Sequence, residues 1–131
     1  MERTIKEINA VVARYIQAIG SQDEANFKSL WSGIDTDTMI SITHIYRGLE
    51  KIYSDFVIGA IQATFTKIDL IADGEPEIHL LDDTTAVVIF QYHTECIKRE
   101  DGSSYGIKGV ETQIMKKIQG KWKLCHVHYS K

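Results

Sequence analysis

The chain has one proline, two cysteines and no excess of positive charge, and each scarcity narrows what it can be. Pro76 stands alone, and no low-complexity tract, internal repeat or linker breaks the 131 residues, so residues 1–131 read as one domain. Fifteen basic residues against eighteen acidic ones leave a net charge of -3. That argues against a nucleic-acid partner, because neutralising phosphates takes a basic surface. No apolar run approaches the roughly 18 residues that would span a bilayer, so no membrane partner is expected. The opening MERTIKEINAVVARY spreads its charges and has no apolar h-region, so it does not read as a signal peptide, and the expected location is cytoplasmic. Cys96 and Cys125 have no metal-like spacing and are expected to be reduced thiols. No glycine-rich phosphate loop is present, and no metal or cofactor is expected.

Hydrophobic residues make up 44% of the chain and charged ones 25%, as in an ordinary globular protein with a real core. Ile5, Ile8, Val12, Tyr15 and Ile19 recur at intervals of three and four, which predicts an amphipathic helix over 3–20. Thr4 with Glu7 offers a capping box and Gly20 a stop. A second helix is predicted over 22–31, entered through Ser21 and Glu24. A third is predicted over 49–65, opened by Gly48. MISITHIYRG, rich in β-branched and aromatic residues, predicts a strand between the last two. The rest reads as a β meander: TKIDLIADG, PEIHLLDD, the long TTAVVIFQYHTECIKRE, then SYGIKGVETQIMKKI and KWKLCHVHYS around the turn QGK. Helices first and antiparallel strands afterwards are the α+β signature, and a curved sheet wrapped on helices leaves a pocket between them.

This order of elements resembles, over nearly the whole chain, the nuclear transport factor two-like superfamily. That is the cystatin-like cone of ketosteroid isomerase, scytalone dehydratase and SnoaL-like polyketide cyclases. The ending is similar to the association (hub) domain of calcium/calmodulin-dependent protein kinase II, which shares an E-T-x-(apolar)…G-K-W-x-(apolar)-x-H-x-H-x-S pattern. Here it is carried by Glu111, Thr112, Ile114, Gly120, Lys121, Trp122, Leu124, His126, His128 and Ser130. The resemblance implies three N-terminal helices packed on a strongly curved, mostly antiparallel sheet. It also implies a homodimer through the convex sheet face, or a larger ring.

The resemblance to ketosteroid isomerase puts Tyr15 at the position of an oxyanion-binding tyrosine and Glu111 near that of a protonated acid. Together these would polarise a carbonyl. ISITHIY has no carboxylate to serve as base, so His44 is the titratable candidate there. Trp31 and Phe56 fall at pocket-lining positions. With Tyr46, Tyr53 and Tyr92 they form an aromatic set that is either core or the wall of a pocket for a small apolar organic ligand. Strand alternation groups Val88, Phe90, Tyr92 and Thr94 on one side of their strand, and Glu111, Gln113 and Met115 on one side of theirs. The resemblance turns Phe90, Tyr92, Glu111 and Gln113 to the concave face, with Cys125, Val127 and Tyr129. Leu124, His126 and His128 then face outward, where the histidines fit an interface better than a metal site, which would need a third ligand. Two function classes follow: a small-molecule-binding protein, acting in proton transfer or cyclisation on a carbonyl compound, and a non-catalytic assembly module.

Overall fold

The computed structural model describes all residues, 1–131. It is an α+β cone: three N-terminal helices packed on a strongly curled, eight-stranded sheet. The first helix, α1 (Glu2–Ser21), buries Ile8, Val11, Val12, Tyr15, Ala18 and Ile19. It begins directly after Met1 without a side-chain cap, so Thr4 and Glu7 do not form the expected box. It also passes through Gly20, and Gln22 instead takes the left-handed conformation that ends it. Helix α2 (Glu24–Ser29) is shorter than predicted, and its cap is Asp23, whose carboxylate accepts from the Asn26 amide.

MISITHIYRG is a hairpin, not one strand. β1 (Thr38–Ser41) and β2 (His44–Arg47) pair antiparallel, and the chain reverses at Ile42, which has φ 58°. A left-handed isoleucine is sterically costly, and no Gly or Asn marks the turn in the sequence. Helix α3 starts regularly over Leu49–Lys51 and continues as wide i→i+5 turns over Ile52–Gln62, burying Ile52, Phe56, Val57 and Ile61.

The strands that follow are β3 (Phe65–Ala72), β4 (Glu77–Asp82), β5 (Thr85–Lys98), β6 (Ser104–Tyr105), β7 (Lys108–Ile118) and β8 (Lys121–Tyr129). The spatial order is β2-β1-β8-β7-β5-β3, antiparallel except for β1 on β8. β3 and β4 do not pair with each other, as a simple meander would have them do. β5 has 14 residues and is long enough to hold them one after the other. SYGIKGVETQIMKKI is likewise two strands, β6 and β7, interrupted at Gly106 and Ile107.

A bulge corrects the expected faces of β8. Ile114 stands opposite His126 and Met115 opposite Leu124, so Cys125 is the extra residue. From that point toward the turn the alternation is inverted. Leu124 therefore lies fully buried in the core rather than on the outer face. Cys125 is only half-buried, its thiol donating to the Ile114 carbonyl, and does not join Val127 and Tyr129 on the inner face. The core fills the space between α1, α2, α3 and the inner sheet face, with Phe27, Met39, Val88, Met115, Leu124 and Val127 at its centre. Protein interiors pack about as densely as organic crystals, so a single methyl group lost from such a core is felt. No helix is long and apolar enough to cross a membrane.

Candidate functional site

The concave face leaves one hollow of about 80 Å³ between α1, α3 and the sheet. Its wall is almost wholly apolar and aromatic, with Glu111 the only carboxyl on it. Tyr15 enters from α1, Phe56 from α3, Tyr92 from β5, Glu111 from β7 and Tyr129 from β8. Chain-distant residues meet here because each sits on the core-facing period of its element: 3.6 for the helices, 2 for the strands.

Glu111 is 2% exposed. One carboxyl oxygen accepts from the Gln113 side-chain amide at 2.7 Å, and no cation pairs with it. Burial pushes its pKa up to about 7 against a smaller opposing pull from Gln113. Tyr15 is 1% exposed and has no hydrogen bond to Glu111 or to any other side chain. Its phenol is raised well above the usual tyrosine range, first by burial and then by the nearby Glu111 and Tyr129. Of the other three phenols, Tyr105 stands at the outer edge, 39% exposed, and the two inner ones are engaged. Tyr92 donates to the Ser130 carbonyl at 2.8 Å, and Tyr129 shares a hydrogen bond with Ser41. Tyr15 and Glu111 are thus the two fully buried polar groups of the hollow with hydrogen-bonding capacity to spare, in surroundings where an unmet one is costly.

Of the residues singled out in the sequence, Tyr15, Glu111, Phe56 and Tyr92 line the hollow. Gln113 is buried behind Glu111 and holds it. Trp31 and Phe90 are buried in the core without reaching the hollow, Trp31 against Phe27. Tyr46 packs on Phe56 at 5.7 Å, and Tyr53 packs on Phe27 under the Lys28 ammonium. His44 is brought nowhere near: it is exposed at the start of the edge strand β2, its ring stacked on Tyr46. The reversal at Ile42 puts it there. Tyr105, Ile107, Cys96 and Phe65 also line the hollow and were not singled out as site residues, while Tyr129 lines it from the concave face on which it was expected. Strand alternation could have found Cys96, six residues from Phe90 on the same face.

On the convex side His126 and His128 sit edge to face at 6.5 Å, and Thr38 Oγ1 lies 2.7 Å from His126 Nδ1. No three His, Cys, Asp or Glu side chains converge on a common point anywhere in the chain.

The family model for the calcium/calmodulin-dependent protein kinase II association domain matches residues 4–131. Among solved structures, a nuclear transport factor 2-like superfamily protein from Salmonella enterica serovar Typhimurium LT2 is similar at 30% identity and TM-score 0.93, over 99% of this chain and 92% of that one. A protein from Xanthomonas campestris assigned to the kinase II association domain aligns at 18% identity and TM-score 0.77, over 95% of this chain and 84% of that one. Hexachlorocyclohexane dehydrochlorinase LinA-type3 from Novosphingobium barchaimii aligns at 15% identity and TM-score 0.83, over 97% and 85%. These last two similarities concern the fold alone. No curated protein matches the chain. The chain belongs to the calcium/calmodulin-dependent protein kinase II association domain family, within the nuclear transport factor 2-like superfamily.

Proposed function

We propose that the chain binds a small apolar compound carrying one carbonyl or phenol oxygen, and that Tyr15 and Glu111 both donate hydrogen bonds to that oxygen. The observation that carries this reading is the pair itself: a phenol and a carboxyl, each at least 98% buried, open into one apolar hollow without being spent on each other. Below about pH 7 Glu111 is neutral and can donate. Two donors aimed at one oxygen stabilise negative charge developing there, which suits proton transfer next to a carbonyl or ring closure onto one. With His44 outside the hollow, Glu111 is the one acid there able to pass a proton to that oxygen, and the hollow holds no second carboxyl or imidazole to take a proton from carbon.

Calorimetric titration with substituted phenols tests it. Tyr15→Phe and Glu111→Gln are each expected to weaken binding about tenfold or more, the cost of one strong buried hydrogen bond. Wild-type affinity should fall as pH rises through about 7, where Glu111 loses its proton. Glu111→Gln should show no such fall. Equal affinity in all three proteins ends the reading.

A second reading, as an assembly module, is favoured by membership of an association-domain family. Here the working surface is the outer face, where Ile45 and Val110 stand 50% and 40% exposed beside the two histidines. Two copies would pack through it, alone or within a larger ring. Light scattering separates the readings: a ring that forms equally well with Tyr15→Phe and Glu111→Gln, and binds no phenol, supports assembly.

A further inference from the structure

We infer that the ligand of the hollow is elongated: its oxygen-bearing head lies between Tyr15 and Glu111, and an apolar tail runs along β5 and leaves through a portal closed by the stacked rings of Phe65 and Tyr105. This rests on the binding role proposed for Tyr15 and Glu111 and adds the shape of the ligand and the route by which it enters.

The length follows from strand register. Glu111 pairs with Phe90, which fixes the inner end of the hollow on β5. Tyr92, Thr94 and Cys96 all line the hollow and follow each other along the same face of that strand. At about 3.3 Å per residue the four steps from Tyr92 to Cys96 cover about 13 Å. A hollow of about 80 Å³ is too small to enclose a head and a tail over that length, so the tail must push past the ring pair to lie along β5.

The portal follows from what the outer end touches. Thr94, Cys96 and Tyr105 line the hollow and also border a surface groove that includes Lys67 and Ser104. Phe65 and Ile68 line the hollow and border a second groove, next to Gly20 and Arg99. Between the two grooves the Phe65 and Tyr105 rings lie stacked, 5.6 Å apart and 23° from parallel, with Tyr105 39% exposed. The ring pair therefore stands at the mouth of the hollow, bordering both grooves. The backbone holds Tyr105 in place. β6 is only two residues long, and a Cβ on the next residue, Gly106, would come within 2.4 Å of the Thr94 carbonyl. Only glycine lets the chain cross so close to β5 and carry the ring over the opening. Phe65 opens β3 directly after α3, so each half of the plug hangs from an element terminus, where small rotations are cheapest.

The test is a series of phenols para-substituted with hydrogen, ethyl, butyl and hexyl groups, titrated into the full chain near pH 6. Affinity is expected to rise about fourfold per added methylene while the tail is inside, then level off once it passes the ring pair. Tyr105→Ala should speed dissociation of the hexyl compound tenfold or more, and Tyr105→Trp should slow it. A second readout uses Cys96, which is 4% exposed, in a Cys125→Ser background. Alkylation of Cys96 by N-ethylmaleimide should be faster in Tyr105→Ala. It should be blocked by the hexyl compound and left unchanged by phenol itself. If the phenols bind with affinities that ignore tail length, and the hexyl compound leaves Cys96 alkylation unchanged, the elongated-ligand inference falls while the role of Tyr15 and Glu111 stands. If no phenol binds at all, both fall.

Discussion

The inner face of the sheet presents Glu111 and the outer face His126, and burial acts on the two with opposite sign. It pushes the Glu111 carboxyl up to about 7. It pulls the His126 imidazole below its ordinary value, helped by the neighbouring His128. Both shifts favour the uncharged form, because low dielectric penalises charge whatever its sign. At pH 7 Glu111 is therefore about half protonated and His126 mainly neutral, and departures from that pH charge them from opposite directions. Glu111 has a folded pKa above its ordinary 4.5, so its contribution to stability is fully present below 4.5 and is lost as pH rises through about 7. His126 has a folded pKa below its ordinary 6.5, so its contribution is fully present above 6.5 and is lost as pH falls through the lower folded value. The inner face is thus built to weaken in base and the outer face to weaken in acid.

The largest expected effect breaks the comparison at the bulge that decides which face is which. Leu124→Ala removes a fully buried side chain and should cost about 4 kcal/mol in urea unfolding. His126→Ala, two residues on and beyond the bulge, should cost about 1 kcal/mol or less. Similar losses at the two positions would mean that the alternation of β8 is not inverted. Next comes the inner acid itself. A raised pKa of about 7 against 4.5 makes the ionised Glu111 unfavourable by roughly 3 kcal/mol. Glu111→Gln should accordingly be more stable than wild type at pH 8 by an amount of that order, and close to it at pH 4.5. A wild type as stable at pH 8 as at pH 4.5, relative to the variant, would show Glu111 to be solvated or paired.

The order of helices and strands was legible in the sequence because it rests on period, and period survives errors of a few residues. The pair Tyr15 and Glu111 was legible through resemblance plus alternation, since Tyr15 lies on the apolar stripe of α1 and Glu111 on the inward phase of β7. What escaped were single-residue irregularities. The extra Cys125 shifts phase without any glycine or proline to mark it, so Leu124 was assigned to the wrong face. The turn at Ile42 uses a β-branched residue where turn chemistry calls for Gly or Asn, so His44 was carried along an imaginary continuous strand toward the pocket. The outer wall was hidden for a further reason. Phe65 and Tyr105 are 40 residues apart, and only the pairing of β5 with both β3 and β6 brings their rings together.

The smallest effect sharpens the outer half of the comparison. Thr38 Oγ1 lies within hydrogen-bond distance of His126 Nδ1, and a hydroxyl can either donate to a neutral imidazole or accept from a protonated one. That contact is therefore not what keeps His126 unprotonated; burial comes first and the like charge of His128 second. NMR titration of the imidazole ring protons can separate the two. In wild type His126 should titrate below 6.5. In His128→Ala it should move up, but by less than the full displacement, because the larger cause stays in place. A His126 that titrates above 6.5 in wild type would undo the symmetry between the faces. It would mean that the outer imidazole is solvated, leaving Glu111 as the only one of the two whose charge the fold suppresses.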